Sequence, residues 1–171
     1  MAAAEDAASG DGGRTLAQLE NVDETRLAAL GRRLGGMLRA GDLIILDGPL
    51  GAGKTTLTRS IGAGLGVRGP VTSPTFVLAR THPSLVGGAP LVHVDAYRLR
   101  SGLELDDLDL DVEGAVTIVE WGHDWARLLA DDWVEIALTP TSGTTRTVTV
   151  TAHGAGGGAD GLATRVESQL V

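Results

Sequence analysis

The apolar run Leu43-Ile-Ile-Leu46 passes through Asp47 into Gly48-Pro-Leu-Gly-Ala-Gly-Lys-Thr55, and then into a stretch of helical pattern. A short apolar run of this kind reads as a buried parallel strand. The glycine-rich segment matches the pattern G-x-x-x-x-G-K-[ST] in full. Lys54 to Leu65 follows as a helix, with Leu57, Ile61 and Leu65 on one face. Gly48, Gly51 and Gly53 allow a tight loop whose N–H groups converge on an anion. The helix N-terminus beneath that loop adds a partial positive charge. In a chain with 25 glycines, spaced glycines alone would say little. The Gly-Lys-Thr ending, set between a strand and a helix, carries the inference. It points to a nucleoside triphosphate held at its phosphates.

The lysine sharpens that reading. Among fourteen Lys and Arg residues, Lys54 is the one lysine. A compact ammonium on a flexible stem can reach between phosphates, where a planar guanidinium fits poorly. Its side chain is expected to serve phosphate rather than to pack in the core. Thr55 is expected to offer its hydroxyl to a magnesium ion.

A chain of 171 residues is long enough for one domain with a sizeable core. Residues 1–13 are mostly Ala, Gly and Asp, and read as a disordered N-terminal tail. Residues 14–152 read as the P-loop domain, and residues 153–171 as a Gly-rich linker with a short terminal helix. Within the domain, Leu27, Leu30 and Leu34 predict a helix from Asp23 to Leu38. Strands are expected over Thr75–Arg80 and Leu91–Asp95, paired antiparallel around a Gly/Pro loop, and over Ala115–Val119. Short helices are expected over Leu103–Leu108 and Asp124–Leu129. Trp133–Leu138 and Arg146–Thr151 read as a closing hairpin.

The net charge is −8 and no dense basic patch is visible, so strong direct binding of nucleic acid is not expected. No apolar run is long enough to span a membrane, no signal-peptide pattern opens the chain, and there is no cysteine. A cytoplasmic protein fits this composition.

A P-loop enzyme needs a carboxylate at the end of a neighbouring strand, to hold a magnesium shell or to position water. Two strands end in one: Leu91-Val-His-Val-Asp95 and Ala115-Val-Thr-Ile-Val-Glu120. Ser73-Pro-Thr-Phe76 stands where P-loop switches place a hydroxyl that senses the γ-phosphate.

Together, Gly48–Thr56, Ser73-Pro-Thr-Phe76, His93-Val-Asp-Ala-Tyr-Arg-Leu99 and Glu120-Trp121 resemble the TsaE (YjeE) family in order and spacing, from about Asp23 to Arg146. Two positions depart from the family pattern: Pro49 stands where Asp is usual, and Ala96 where a bulkier apolar residue is usual. The resemblance implies a single α/β P-loop NTPase domain with a mixed parallel and antiparallel sheet flanked by helices. It implies a magnesium-dependent ATPase, slow alone, required for the threonylcarbamoyladenosine modification of tRNA and working with TsaD- and TsaB-like partners. Its implied cofactors are ATP and Mg2+. By the same resemblance, Gly51, Ala52, Gly53, Lys54, Thr55 and Thr56 wrap the phosphates. Thr55 and Glu120 hold the metal, Lys54, Asp95 and Glu120 form the catalytic set, and Asp95 sits near the attacking water. Trp121, Thr25 and Arg146 fall where the family contacts nucleotide.

Other readings are a self-contained small-molecule kinase, with Arg98 and Arg100 as a thin lid, a GTPase, and a non-catalytic nucleotide-binding module. The usual guanine-selective Asn-Lys-x-Asp needs a lysine outside the P-loop, and this chain has none. Intact Thr55, Asp95 and Glu120 argue against the non-catalytic module. The run Glu104-Leu-Asp-Asp-Leu-Asp-Leu-Asp-Val-Glu113 holds six carboxylates in ten residues. It reads either as a solvated surface turn or as a docking surface for a basic partner.

Overall fold

Strand β2 (Leu43–Asp47) forms the middle of a seven-stranded sheet, and its first four residues are fully buried. The structure, a computed structural model, describes residues 12–72, 78–154 and 161–170. Around β2 the sheet is ordered β1 (Arg14–Val22), β7 (Arg146–His153), β6 (Trp133–Pro140), β2, β5 (Val116–Glu120), β4 (Leu91–Asp95), β3 (Ala79–His82). Strands β6, β2, β5 and β4 run parallel. The two flanks are antiparallel, β3 on β4 at one edge and β1–β7–β6 at the other. The fold is thus α/β with a mixed sheet, as expected.

The central strands are mostly apolar and buried because both faces are covered. Alternation sorts their side chains into two cores. Ile44 and Leu46 of β2 join Val116 and Ile118 of β5 under helices α1 (Glu24–Met37), α2 (Lys54–Leu65) and α5 (Leu162–Ser168). Leu43 and Ile45 join Val92, Val94 and Val119 under α3 (Gly102–Asp107) and α4 (Ala126–Leu129). Ala96 is buried in this second core, together with Leu99 and Leu105.

Helix α1 starts at a side-chain cap, Asp23 Oδ1 accepting from Arg26 N at 2.8 Å. It crosses α2 at a glycine seam. A Cβ on Gly35 would strike the Ile61 carbonyl, and one on Gly64 the Arg32 carbonyl. Helix-interior glycines cost about 1 kcal/mol each against Ala. Here they allow the two backbones to touch, which fixes the helix that carries the P-loop. No helix among the described residues is long and apolar enough to cross a membrane.

One element has no counterpart among the sequence expectations. Strand β1 lies mostly exposed on the sheet edge, and its pairing with β7 shifts register twice, between Thr15 and Ala17 and between Leu19 and Val22. Such irregularity erases the period-two pattern that would betray a strand. The strand expected over 75–80 overlaps β3, which begins later, at Ala79. Residues 73–77, with Ser73 to Phe76, lie outside the described residues, as do 1–11 in the expected tail and 155–160 in the expected linker.

Candidate nucleotide site

The loop after β2 is built from backbone that only glycine adopts easily. Gly48, Gly51 and Gly53 have φ of 142°, 78° and 110°. Gly48 is also pressed against the Leu138 carbonyl, and Gly53 against Leu27 of α1, so neither position has room for a side chain. Gly53 is the N-cap of α2 and makes no side-chain cap, which leaves the first-turn N–H groups of that helix facing the loop.

A cavity of about 260 Å³ opens there, lined by Leu50, Gly51, Gly53, Lys54, Thr55, Thr56, Asp95, Glu120 and Trp121. The sheet explains why its two acids meet. Strands β4 and β5 are parallel, and their last residues, Asp95 and Glu120, are direct register partners. Asp95 Oδ1 accepts from Tyr97 N at 3.0 Å, which ties the carboxylate to the turn after β4. Glu120 is only 4% exposed, and its Oε2 lies 2.7 Å from His93 Nε2.

Lys54 departs from expectation in one respect: it is only 6% exposed. Its ammonium folds back and donates to the carbonyls of Gly48 and of Pro49, the latter at 3.1 Å. It also sits 4.0 Å from the centroid of the Trp121 ring. A buried ammonium must have acceptors, and the loop's own carbonyls and the indole face supply them. Burial lowers the Lys54 pKa from its usual 10.5, opposed by the charges of Glu120, Asp47 and Asp95. Trp121 reaches this place through a strained backbone: its φ is 60°, uncommon for a bulky residue and worth about 1–3 kcal/mol. Its N–H is anchored on the Leu46 carbonyl at 3.0 Å, and Tyr97 packs on its ring at 5.2 Å between centroids.

The charges of three carboxylates thus act on one ammonium. Thr55, Asp95 and Glu120 offer hard oxygen donors, the type that suits Mg2+, which takes one or two carboxylates and completes its shell with phosphate and water. The residues present fit that ion and that role. No group of three or more His, Cys, Asp and Glu among the described residues could hold a metal by itself.

The remaining expected contacts are placed unevenly. Ala52 is buried, and its N–H donates to the Pro49 carbonyl at 3.1 Å. Arg146, at the start of β7, lies behind the loop, its guanidinium 3.7 Å from where a Cβ on Gly53 would stand. Its buried Nη1 has no hydrogen-bond partner among the described residues. Thr25 is exposed on the first turn of α1 and does not line the cavity. Sequence reasoning passed over Leu50, which stands 87% exposed at the cavity mouth, and His93, although its place two residues before Asp95 puts both on one face of β4.

A glycine loop joining a parallel strand to a helix, with strand-end carboxylates facing its lysine, defines a P-loop NTPase-like domain. The family description "Threonylcarbamoyl adenosine biosynthesis protein TsaE" matches residues 21–148. The chain is 59% identical over 132 residues to a Streptomyces coelicolor protein named tRNA threonylcarbamoyladenosine biosynthesis protein TsaE, covering 73% of this chain and 89% of that one. A Bacillus subtilis protein of the same name is 36% identical over 137 residues, covering 78% and 83%. The crystal structure of Bacillus subtilis YdiB superposes with a TM-score of 0.67 at 27% identity, covering 83% of this chain and 88% of that one. The chain belongs to the TsaE family, which serves the biosynthesis of threonylcarbamoyladenosine in tRNA.

Proposed function

We propose that this chain is the Mg2+-dependent ATPase of the threonylcarbamoyladenosine system, acting in the cytoplasm with TsaD- and TsaB-like partners. The observation that carries the reading is the convergence of Lys54, Thr55, Asp95 and Glu120 on one cavity at the end of the parallel strands. The loop and the N-terminus of α2 hold the phosphates of ATP, and Lys54 turns from the Gly48 and Pro49 carbonyls toward them. Thr55 and Glu120 would hold magnesium, which would supply positive charge to the phosphate oxygens. Asp95 orients a water for attack on the γ-phosphorus, and ADP leaves. Trp121 and Arg146 border the nucleotide. Thr25 is kept as an outer contact. ATP is preferred over GTP, because no second lysine is present to build the usual guanine-reading motif. The ATPase unit is taken as residues 14–152, flanked by a tail over 1–13 and by the segment 153–171.

The test is co-purification of the full chain with the host's TsaD- and TsaB-like proteins, with and without ATP, alongside hydrolysis of labelled ATP. ATP-dependent complex formation and release of inorganic phosphate are expected. Transfer of label to a small metabolite in the absence of those partners would instead establish the kinase reading.

A further inference from the structure

Behind the two strand-end carboxylates lies a buried pair that the reaction as described does not use. His93 is completely buried. It is paired in register with Ile118, two residues before Asp95 on β4, and so lies diagonally across from Glu120 on the same face of the sheet. Its Nε2 is 2.7 Å from Glu120 Oε2. A carboxylate that holds magnesium is ionised and only accepts, which in that state assigns the proton and the donating role to this ring nitrogen. The other nitrogen, Nδ1, is buried with no hydrogen-bond partner among the described residues. A half-satisfied imidazole is a poor choice for filling a core; on this face it lies beside apolar Leu91, Val116 and Ile118, with Arg80 its register partner on β3 and His82 next along that strand. The one polar bond the ring makes goes to an acid of the cavity.

We propose that His93 is a positioning residue for Glu120: its Nε2–H holds Oε2, so that Oε1 is presented to the cavity in a fixed orientation. A free glutamate samples several rotamers, and ordering it on ion binding would cost affinity. The histidine does that ordering in advance. Partners that orient a metal-holding group in this way typically change metal affinity about 10–100-fold when removed. The inference rests on the assignment of Glu120 to magnesium made above.

Binding rather than turnover provides the test. The full chain is titrated with a non-hydrolysable ATP analogue over a range of Mg2+ concentrations. His93→Phe keeps a buried ring and removes the donor. It is expected to raise the half-saturating Mg2+ concentration about tenfold or more, with nucleotide affinity in the absence of divalent ions unchanged. His93→Gln, which keeps an N–H near the Nε2 position, is expected to restore the wild-type Mg2+ dependence. His93→Asn, too short to reach Oε2, should behave like the Phe variant, and the Gln and Asn pair decides the matter if Phe prevents folding. A wild-type Mg2+ dependence in folded His93→Phe, or in both His93→Gln and His93→Asn, overturns the role of His93 while leaving the site assignment standing. Absence of any Mg2+ effect in the wild-type protein sinks both.

Discussion

The two ends of strand β2 carry buried charge in opposite ways. At its N-terminal end, Asp42 is 7% exposed and meets Arg165 of α5 in a two-pronged pair, with N–O distances of 2.7 and 2.8 Å. The same guanidinium donates to the Met37 carbonyl at 2.8 Å, and Asp42 also accepts from Arg39 N at 2.7 Å. One acid and one base satisfy each other and tie α5 to the end of α1. At the C-terminal end, one ammonium faces Asp47, Asp95 and Glu120. Acid exceeds base there, and Asp95 and Glu120 border a cavity. The first end is electrically complete and serves the fold. On the function proposed above, the second is completed by a divalent cation and phosphate, and serves chemistry.

The largest effect is expected at the complete end. Arg165→Ala leaves Asp42 buried without its partner and should cost about 3–5 kcal/mol of stability, read by denaturant unfolding, while nucleotide affinity of the folded fraction stays unchanged. Loss of less than about 1 kcal/mol would place this pair among surface ion pairs. At the open end, Glu120→Gln and Asp95→Asn should each lower turnover about a hundredfold, or ~2.7 kcal/mol, in the complex with partners, with much smaller effects on ATP affinity. A variant with wild-type turnover would remove that acid from the mechanism.

A smaller effect is expected outside the cavity. The six carboxylates of 104–113 are exposed beside a groove that includes Leu103 and Leu128, themselves 76% and 63% exposed. Reversing Asp106, Asp107 and Asp109 to Lys should slow association with the partner proteins several-fold at low salt, where charges are screened only beyond about 10 Å at 0.1 M, and leave ATP affinity alone. Unchanged association rates would return the run to a solvated surface. The smallest effect concerns His123, whose Nδ1 lies 2.8 Å from Glu135 Oε2. The hydrogen bond to Glu135 and that residue's charge raise the His123 pKa above 6.5. Its stabilisation is therefore full below pH 6.5 and is lost as pH rises through the raised value. His123→Asn should lower the melting temperature on the acid side and match the wild type on the alkaline side.

Much of this was legible because the informative residues obey local rules. The P-loop has a fixed spacing, β2 is an unbroken apolar run up to Asp47, and α1 and α2 repeat leucine or isoleucine at helical intervals. Strand-end carboxylates could be proposed one strand at a time, but that Asp95 and Glu120 are register partners follows only from the sheet. Three features were hidden for physical reasons. Strand β1 is an exposed, bulged edge without alternation. The retreat of Lys54 onto its own loop depends on where Trp121 lies, and that depends on a backbone angle no composition reveals. The contact of His93 with Glu120 runs diagonally from β4 to β5, and no local pattern marks it.

The proposed binding of ATP stands on Lys54 and the loop around it. Titration of ATP·Mg2+ into the full-length wild type and Lys54→Ala, with melting temperatures taken in parallel, tests it directly. Removing one charge-assisted contact to phosphate should cost about 1.5–3 kcal/mol, so the variant is expected to bind at least about tenfold more weakly at a similar melting temperature. A wild-type chain that binds no ATP, or a folded Lys54→Ala that binds it equally well, would contradict the claim that this cavity is the nucleotide site.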